Sequence, residues 1–332
     1  VLKSCNLLSF DDVWLEPRYS EIESRANPIL SSKLSPSVTL KHPVIASNMA
    51  SVVGEKMAHT FDKSGSIAFH HRFLTRDDLI DLTVTHTGKM KYFAFSIGVK
   101  EHDLNTAKDI FYLLGNDAIV LVDIAHGHSK KMGEFVTKVK KIGFDTVVAG
   151  NVATAEGYQF LTDHGADSVR VGVAGGKACT TKYVTGHHVP TLQSVYECAS
   201  QKTTASIIAD GGIATSGDAS KALAAGADFV CLGSVLAPTS DSPSELVHDP
   251  DGSSYKLYYG MSSKTAIDKF FSGKKTHVAP EGKAIRMPYV GETSDVLREF
   301  LAGIKSALSY SGANNLESFH NNAILRHKNR II

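Results

Sequence analysis

Short apolar runs recur along the chain, each followed by a turn and then a pattern of helical period. They occupy residues 42–49 (HPVIASNM), 66–71 (SIAFHH), 92–99 (YFAFSIGV), 118–126 (AIVLVDIAH), 145–152 (DTVVAGNV), 168–173 (SVRVGV), 206–212 (SIIADGG) and 229–234 (FVCLGS). Runs this nearly continuous in apolar residues belong to parallel strands buried on both faces. Most starts lie 23 to 27 residues apart, room for one helix and two loops, but the seventh follows the sixth by 38, so a long loop follows residue 173. Eight such units predict an α/β fold, a single (β/α)8 TIM barrel domain over residues 1–332, rather than an open sheet.

An internal repeat supports that prediction. Residues 150–172 (GNVATAEGYQFLTDHGADSVRVG) align without gaps on 211–233 (GGIATSGDASKALAAGADFVCLG), with eight identities at an offset of 61. Each copy reads as strand end, helix, glycine at the helix C-terminus and next strand. Asp167 and Asp228, in the shared GAD, read as structural caps at the bottom of the barrel, because they precede strands.

In a barrel of this kind chemistry sits where strands end. The strand ends here are rich in glycine and polar residues, and one connection is unusually long. Roughly sixty residues separate Ser234 from a helix predicted over 293–309, and within them residues 264–283 have the placing of a flap. The segment from about 316 to 332 reads as a solvated C-terminal tail with a short basic end.

Composition narrows the function classes. Apolar residues make up 42% and charged residues 21%, as in ordinary globular proteins. Lys plus Arg is 35 against 34 for Asp plus Glu, a formal charge of +1, which argues against a dedicated nucleic-acid binder. The four cysteines are far apart, without a C-x-x-C pair, which excludes a disulfide scaffold and suits a reducing cytoplasm. No apolar run reaches the length of a membrane span and no signal-peptide pattern opens the chain. The start at Val1 leads us to expect a trimmed N-terminus. His126 and His128, or His70 and His71, lack a third ligand at a recognisable metal spacing, and no G-x-G-x-x-G joins a strand to a helix. A nicotinamide cofactor would therefore have to lie across the barrel mouth.

Two loops carry candidate chemistry. The loop at about 172–190 contains VGVAGGKACTTKYVTG, whose glycines permit close backbone approach to an anion. Cys179 in this loop is open to two readings. It is either a small buried hydrophobe or a thiolate favoured by Lys177, Lys182 and loop N–H groups. Cys198 and Cys231 read as structural. The other loop pair, ADGG (209–212) and LGS (232–234), is a candidate phosphate site. Asp210 beside it is either a turn residue or the acceptor for two ribose hydroxyls, which would suit a nucleoside monophosphate.

The sequence resembles the IMP dehydrogenase/GMP reductase family over nearly its whole length. The resemblance is carried by LSFDDVWLEP (8–17), PVIASNMASVVGEKMA (43–58), GNVAT (150–154), GADSVRVGV (165–173), CTT (179–181), TG (185–186), ADGGI (209–213), GADFVCLGS (226–234), YYGMSS (258–263) and EGK (281–283). Its reductase branch is the better match. There is no room for the regulatory modules that the dehydrogenases insert early in the barrel. The stretch KFFSGKKTHVAPEGK lacks their Arg-Tyr pair, and it ends in the reductases' E-G-K.

The resemblance implies NADPH-dependent reductive deamination of GMP to IMP and ammonia, by an enzyme of the cytoplasm that assembles as a homotetramer. It implies Cys179 as the nucleophile on purine C2, with a covalent thioimidate, and Thr181 with Glu281 as the proton path to the leaving ammonia. Asp210 would bind ribose, and Gly211, Gly212, Gly233 and Ser234 the phosphate. Gly260, Met261 and Ser262 would contact the base, and Gly282 would close over it. Asp123, Ile124 and Ala125, with Ser24 and Arg25, match cofactor segments. Carbonyls of Ala174, Gly176 and Cys179 match a K+ site. A dehydrogenase without regulatory modules, and a non-catalytic or flavin-dependent phosphate-binding barrel, are the alternatives. The chain departs from the family loop G-I-G-P-G-S-x-C-T-T at Ala174, Gly175 and Lys177, has His187 and His188 after TG, and carries Val278 where many reductases have arginine.

Overall fold

The computed structural model describes residues 7–271 and 279–328. Strands β1 (Val13–Leu15), β2 (Ser32–Lys33) and β3 (Thr39–Leu40) come before the barrel proper. Then follow β4 (Val44–Ala46), α1 (Glu55–Ser64), α2 (Arg76–His86), β5 (Phe93–Ile97), α3 (Glu101–Leu114), β6 (Ala118–Asp123), α4 (Lys130–Lys140), β7 (Val147–Val152) and α5 (Ala155–Asp163). The alternation continues with β8 (Ser168–Val171), the single-turn α6 (Thr181–Val184), α7 (Thr191–Ser200), β9 (Ser206–Asp210), α8 (Ser216–Ala224) and β10 (Phe229–Leu232). The remainder comprises β11 (Leu246–His248), β12 (Ser254–Tyr259), α9 (Lys264–Phe271), β13 (Ala284–Pro288), α10 (Thr293–Tyr310), α11 (Leu316–Asn322) and β14 (Leu325–His327).

Seven strands form one parallel sheet in the order β4-β10-β9-β8-β7-β6-β5. The eighth position is filled by residues 67–70, which join the two edges. The Ala46 N–H donates to the Ile67 carbonyl at 3.2 Å, the His70 N–H to Ala94 at 3.0 Å, and the Ser96 N–H to His70 at 2.9 Å. The apolar runs divide by parity, as a period of two requires. Ile45, Ile119, Leu121, Val148, Ile208, Phe229 and Cys231 fill the barrel interior together with Leu34, Val38 and Leu40, from and beside the β2–β3 hairpin. Val44, Val120, Val122, Val147, Ala149, Ile207, Ala209 and Val230 face the helices. Truncating Phe229, fully buried in the inner cluster, to alanine would cost ~3–5 kcal/mol.

The repeat has a local physical cause. Thr154 and Thr215 cap α5 and α8, accepting from the N–H of Gly157 and Asp218. Gly165 and Gly226 follow these helices at φ +100° and +108°, where a Cβ is disfavoured. The Asp167 carboxylate accepts from the Val147 N–H at 2.7 Å and from Lys140 at 2.7 Å. Asp228 repeats this with the Ile207 N–H at 2.8 Å and Lys202 at 2.6 Å. Both aspartates therefore stitch strand starts at the barrel bottom.

Beyond β10 the chain builds an antiparallel sheet, β11-β12-β13, with α9 on the connection from β12 to β13. Of the expected flap, residues 272–278, Val278 among them, lie outside the described residues. The C-terminal segment differs from the expected solvated tail. Phe319 of α11 is fully buried and β14 pairs antiparallel with β1. Leu316 and Phe319 add apolar area to the outer core, and that burial outweighs the polar composition of the segment.

Candidate active site

Three loops meet at the C-terminal mouth of the barrel because glycines let their backbones touch. Gly172 has φ +141°, and a Cβ there would collide with the Asp210 carbonyl. Gly211 has φ +96°, and a Cβ would lie 3.0 Å from the Gly176 nitrogen. The loop after β8 is thus seated directly on the loop after β9. Gly260 and Gly282 approach each other in the same way, and a Cβ on Gly282 would lie 3.0 Å from the Ser263 nitrogen.

Cys179 stands on the first loop, half-buried, with its N–H donating to the Gly176 carbonyl at 3.0 Å. Its thiol lies 3.2 Å from the Thr181 hydroxyl, which donates to Glu281 Oε2 at 2.7 Å. Backbone bonds hold this line from both ends. The Thr180 N–H donates to the Glu281 carbonyl at 2.9 Å, and the Glu281 N–H to Ser262 at 3.1 Å. The Lys283 N–H donates to Ala178 at 2.9 Å, and Cys179 and Gly282 form an antiparallel bridge. The geometry joins a thiol to a carboxylate through one hydroxyl, an arrangement that a proton relay can use. By contrast, burial pushes the Cys198 and Cys231 thiols up to about 12, which suits inert structural cysteines.

Below the mouth lies a charged network that the sequence reading missed. Arg170 of β8 points into the barrel with a side chain only 6% exposed. Its Nη2 donates to Asp210 Oδ2 at 2.7 Å and its Nη1 to Asn48 Oδ1 at 2.7 Å. The same Nη1 lies 3.5 Å from Asp123 Oδ1. Asn151 adds a 2.6 Å bond to Asp210 Oδ2 and a 2.8 Å bond to the Gly172 carbonyl. Burial is the largest influence on Arg170 and acts against its charge, but Asp210, Cys231 and Asp123 together more than offset it, and the guanidinium pKa stands above its ordinary value. Among the described residues its Nε is unpartnered. The signal was present in SVRVGV, since a lone arginine in an apolar buried strand must find an anion.

One cavity is lined by Cys179, Thr181, Glu281, Asp210, Gly211, Gly212, Gly233, Ser234, Gly260, Met261, Ser262, Asp123, Ile124 and Ala125. Gly282 adjoins it through its bridge to Cys179. The N–H groups of Gly212 and Ser234 donate to no other described residue. Lys177 lines the cavity, is exposed, and has no ion pair with a described residue. Ser24 and Arg25 are not brought to this cavity. They line a separate surface depression with Pro17, Ser309 and Tyr310. Ala174 lines the cavity at φ +63°, and His188 Nδ1 lies 3.0 Å from the Val173 carbonyl. Among the described residues no three His, Cys, Asp or Glu side chains cluster as metal ligands, and no helix is long and apolar enough to cross a membrane.

Comparison with known proteins follows the same lines. The model of the IMP dehydrogenase / GMP reductase domain matches residues 7–330. The GMP reductase of Vibrio vulnificus (strain YJ016) is 36% identical over 318 residues, 92% of this chain and 90% of its own length. GMP reductase 2 of Homo sapiens is 35% identical over 317 residues, 93% and 91% respectively. The GMP reductase of Photobacterium profundum is 35% identical over 322 residues, 93% and 91% respectively. A match that runs from before β1 to past β14 takes in the whole barrel, the cysteine loop and the Glu281 segment, and the chain belongs to the IMP dehydrogenase / GMP reductase family.

Proposed function

We propose that this protein is a GMP reductase, which converts GMP to IMP and ammonia at the expense of NADPH. The observation that carries the proposal is the unbroken line from the Cys179 thiol through Thr181 to Glu281. C2 of guanine bears an amino group, and displacing it takes a nucleophile and an acid that turns the amine into ammonia. In our reading the Cys179 thiolate adds to C2, and Glu281 delivers a proton through the Thr181 hydroxyl to the exocyclic nitrogen. Ammonia departs and leaves a covalent thioimidate between Cys179 and the purine. When bound, the nicotinamide supplies the hydride that C2 then accepts, and the Cys179 thiolate leaves as IMP forms. GMP, NADPH and one proton thus balance IMP, NADP+ and ammonia.

The other walls have matching tasks. Asp210, fixed through Oδ2 by Arg170 and Asn151, accepts from the ribose hydroxyls. The free N–H groups of Gly212 and Ser234, with Gly211, Gly233 and the Lys177 ammonium, hold the phosphate. Gly260, Met261 and Ser262 contact the base, and Gly282 closes over it. Asp123, Ile124 and Ala125 fit a nicotinamide riboside. They offer an accessible carboxylate for hydroxyls and an apolar edge for the ring, on the cavity that holds Cys179. A K+ ion on the carbonyls of Ala174, Gly176 and Cys179, a homotetramer and a cytoplasmic setting complete the reading. Ala174 takes the left-handed conformation typical of glycine, which keeps the loop's course despite its Cβ. Ser24 and Arg25 would serve the cofactor only from their separate depression.

The test is a paired assay on the purified protein. GMP with NADPH should oxidise the nicotinamide and release ammonia in equal amounts. A faster reaction of IMP with NAD+, giving XMP, would make the protein a dehydrogenase instead.

A further inference from the structure

Arg72 is the second arginine of the cavity and differs from Arg170 in what it leaves free. It stands in the turn between the strand position 67–70 and α2. Its Nε lies 3.3 Å from Asp123 Oδ2, and its side chain is 32% exposed. Its guanidinium carbon sits 4.7 Å over the Phe73 ring. Phe73 in turn packs on Phe270 and Phe271 of α9, with ring centroids 5.6 Å and 5.0 Å apart. One edge of the guanidinium is thus occupied by a carboxylate and its face is held by an aromatic ring. Its terminal nitrogens donate no hydrogen bond to another described residue, and the side chain lines the same cavity as Cys179. An arginine fixed on one edge and one face keeps its other edge in place without losing rotamer freedom on binding. That edge is a planar pair of donors matched to two oxygens of one phosphate group.

We propose that Arg72 is the phosphate-binding arm of the cofactor subsite and takes the pyrophosphate of the dinucleotide. The inference rests on the functional reading above, in which the nicotinamide riboside lies along Asp123–Ala125. Because Arg72 is paired to Asp123 itself, its free edge faces the charged group next along the cofactor from that riboside. The pyrophosphate is that group. The 2′-phosphate of NADPH lies farther off, on the adenosine ribose. Asp123 therefore has two tasks, accepting from the riboside and steering Arg72.

The test is equilibrium binding with no turnover. In the Cys179→Ala background saturated with GMP, NADPH and NADH are titrated by their fluorescence, with and without Arg72→Gln. The proposal predicts that Arg72→Gln weakens both cofactors by the same factor, about tenfold or more for a lost bidentate pair, and leaves the GMP dissociation constant unchanged. Arg72→Lys, which keeps the charge without the fork, should restore only part of the affinity. Weakening of NADPH alone would overturn the pyrophosphate assignment in favour of the 2′-phosphate. Unchanged affinity for both would overturn any role in cofactor binding. If the parent variant binds neither cofactor, the functional reading itself fails, a result separate from any effect of Arg72.

Discussion

The Thr181 hydroxyl donates to the Glu281 carboxylate at 2.7 Å, although 100 positions separate the two residues. One sits on the connection after β8 and the other on the β12–β13 connection just before β13, so the pair forms only when the two segments close on each other. The backbone bond from the Thr180 N–H to the Glu281 carbonyl, 2.9 Å, fixes that closure beside the side chains. Chemistry and loop position are thus tied to the same residues.

The first prediction follows from that tie. Cys179→Ala should abolish turnover, by several orders of magnitude, with GMP affinity largely kept, because the substitution leaves Lys177 in place and the proposed contacts of Asp210, Gly212 and Ser234 lie on other loops. Glu281→Gln keeps the shape and removes the proton donor, so ammonia release should slow by about 100-fold or more while GMP still binds. Rapid-quench measurement of ammonia separates this from a cofactor effect. Slowed hydride transfer with normal ammonia release would take Glu281 out of the acid relay.

Lys177 supplies the second prediction. It lines the cavity without an ionic partner among the described residues, where the family more often has serine. Lys177→Ser should raise the KM for GMP by about 5- to 10-fold, corresponding to ~1 kcal/mol for an exposed charge, with a smaller effect on guanosine. If instead the alkylation of Cys179 moves to higher pH and the KM is unchanged, Lys177 acts on the thiolate.

Arg170 gives the third. Arg170→Met removes the cation from Asp210 and leaves this partly exposed carboxylate with Asn151 alone on Oδ2, at a cost of ~1–3 kcal/mol. Urea unfolding should register that loss, and GMP should bind less tightly because Asp210 Oδ2 is no longer held. Unaltered stability and affinity would show the network to be idle.

The fourth concerns acid. Burial lowers the folded pKa of His70 to about 3, and those of His42 and His71 to about 4, against an ordinary 6.5. For His70 and His71, neighbouring positive charge adds to the effect. The unfolded chain takes up these protons first, so the full stability is present above pH 6.5. It is lost as the pH falls from there toward 4 for His42 and His71 and toward 3 for His70. Each histidine contributes up to ~1.4 kcal/mol per pH unit in that window. Thermal melts at pH 7 and pH 5 should show a clear drop, and His70→Phe, which cannot titrate, should lessen it. Equal melting temperatures at both pH values would contradict a role for these buried rings.

Much of the barrel could be read from the chain because buried parallel strands are nearly all apolar, a strong local signal. The repeat was legible for a similar reason, since Thr154, Gly165 and Asp167 each answer to a cap or turn within a few residues. The lone arginine of SVRVGV was a signal, but its pairing with Asp210 and Asp123 was not legible, because it depends on which residues of three different strands share one interior layer. Residues 66–71 read as an ordinary strand, yet 67–70 join the sheet through only a few bonds. The pairing of β14 with β1 has no sequence signal because three-residue strands carry no periodicity. The loop around Cys179 stands out by its glycines, but the partnership with Glu281 comes from resemblance and not from spacing.

Where the hydride goes decides between reductase and dehydrogenase. NADPH carrying deuterium at the transferred position of its nicotinamide, incubated with GMP and the protein, should give IMP labelled at C2, detected by mass spectrometry and NMR. Ammonia should appear in equal amount. Failure to form labelled IMP while IMP and NAD+ yield XMP would contradict the reductase reading directly.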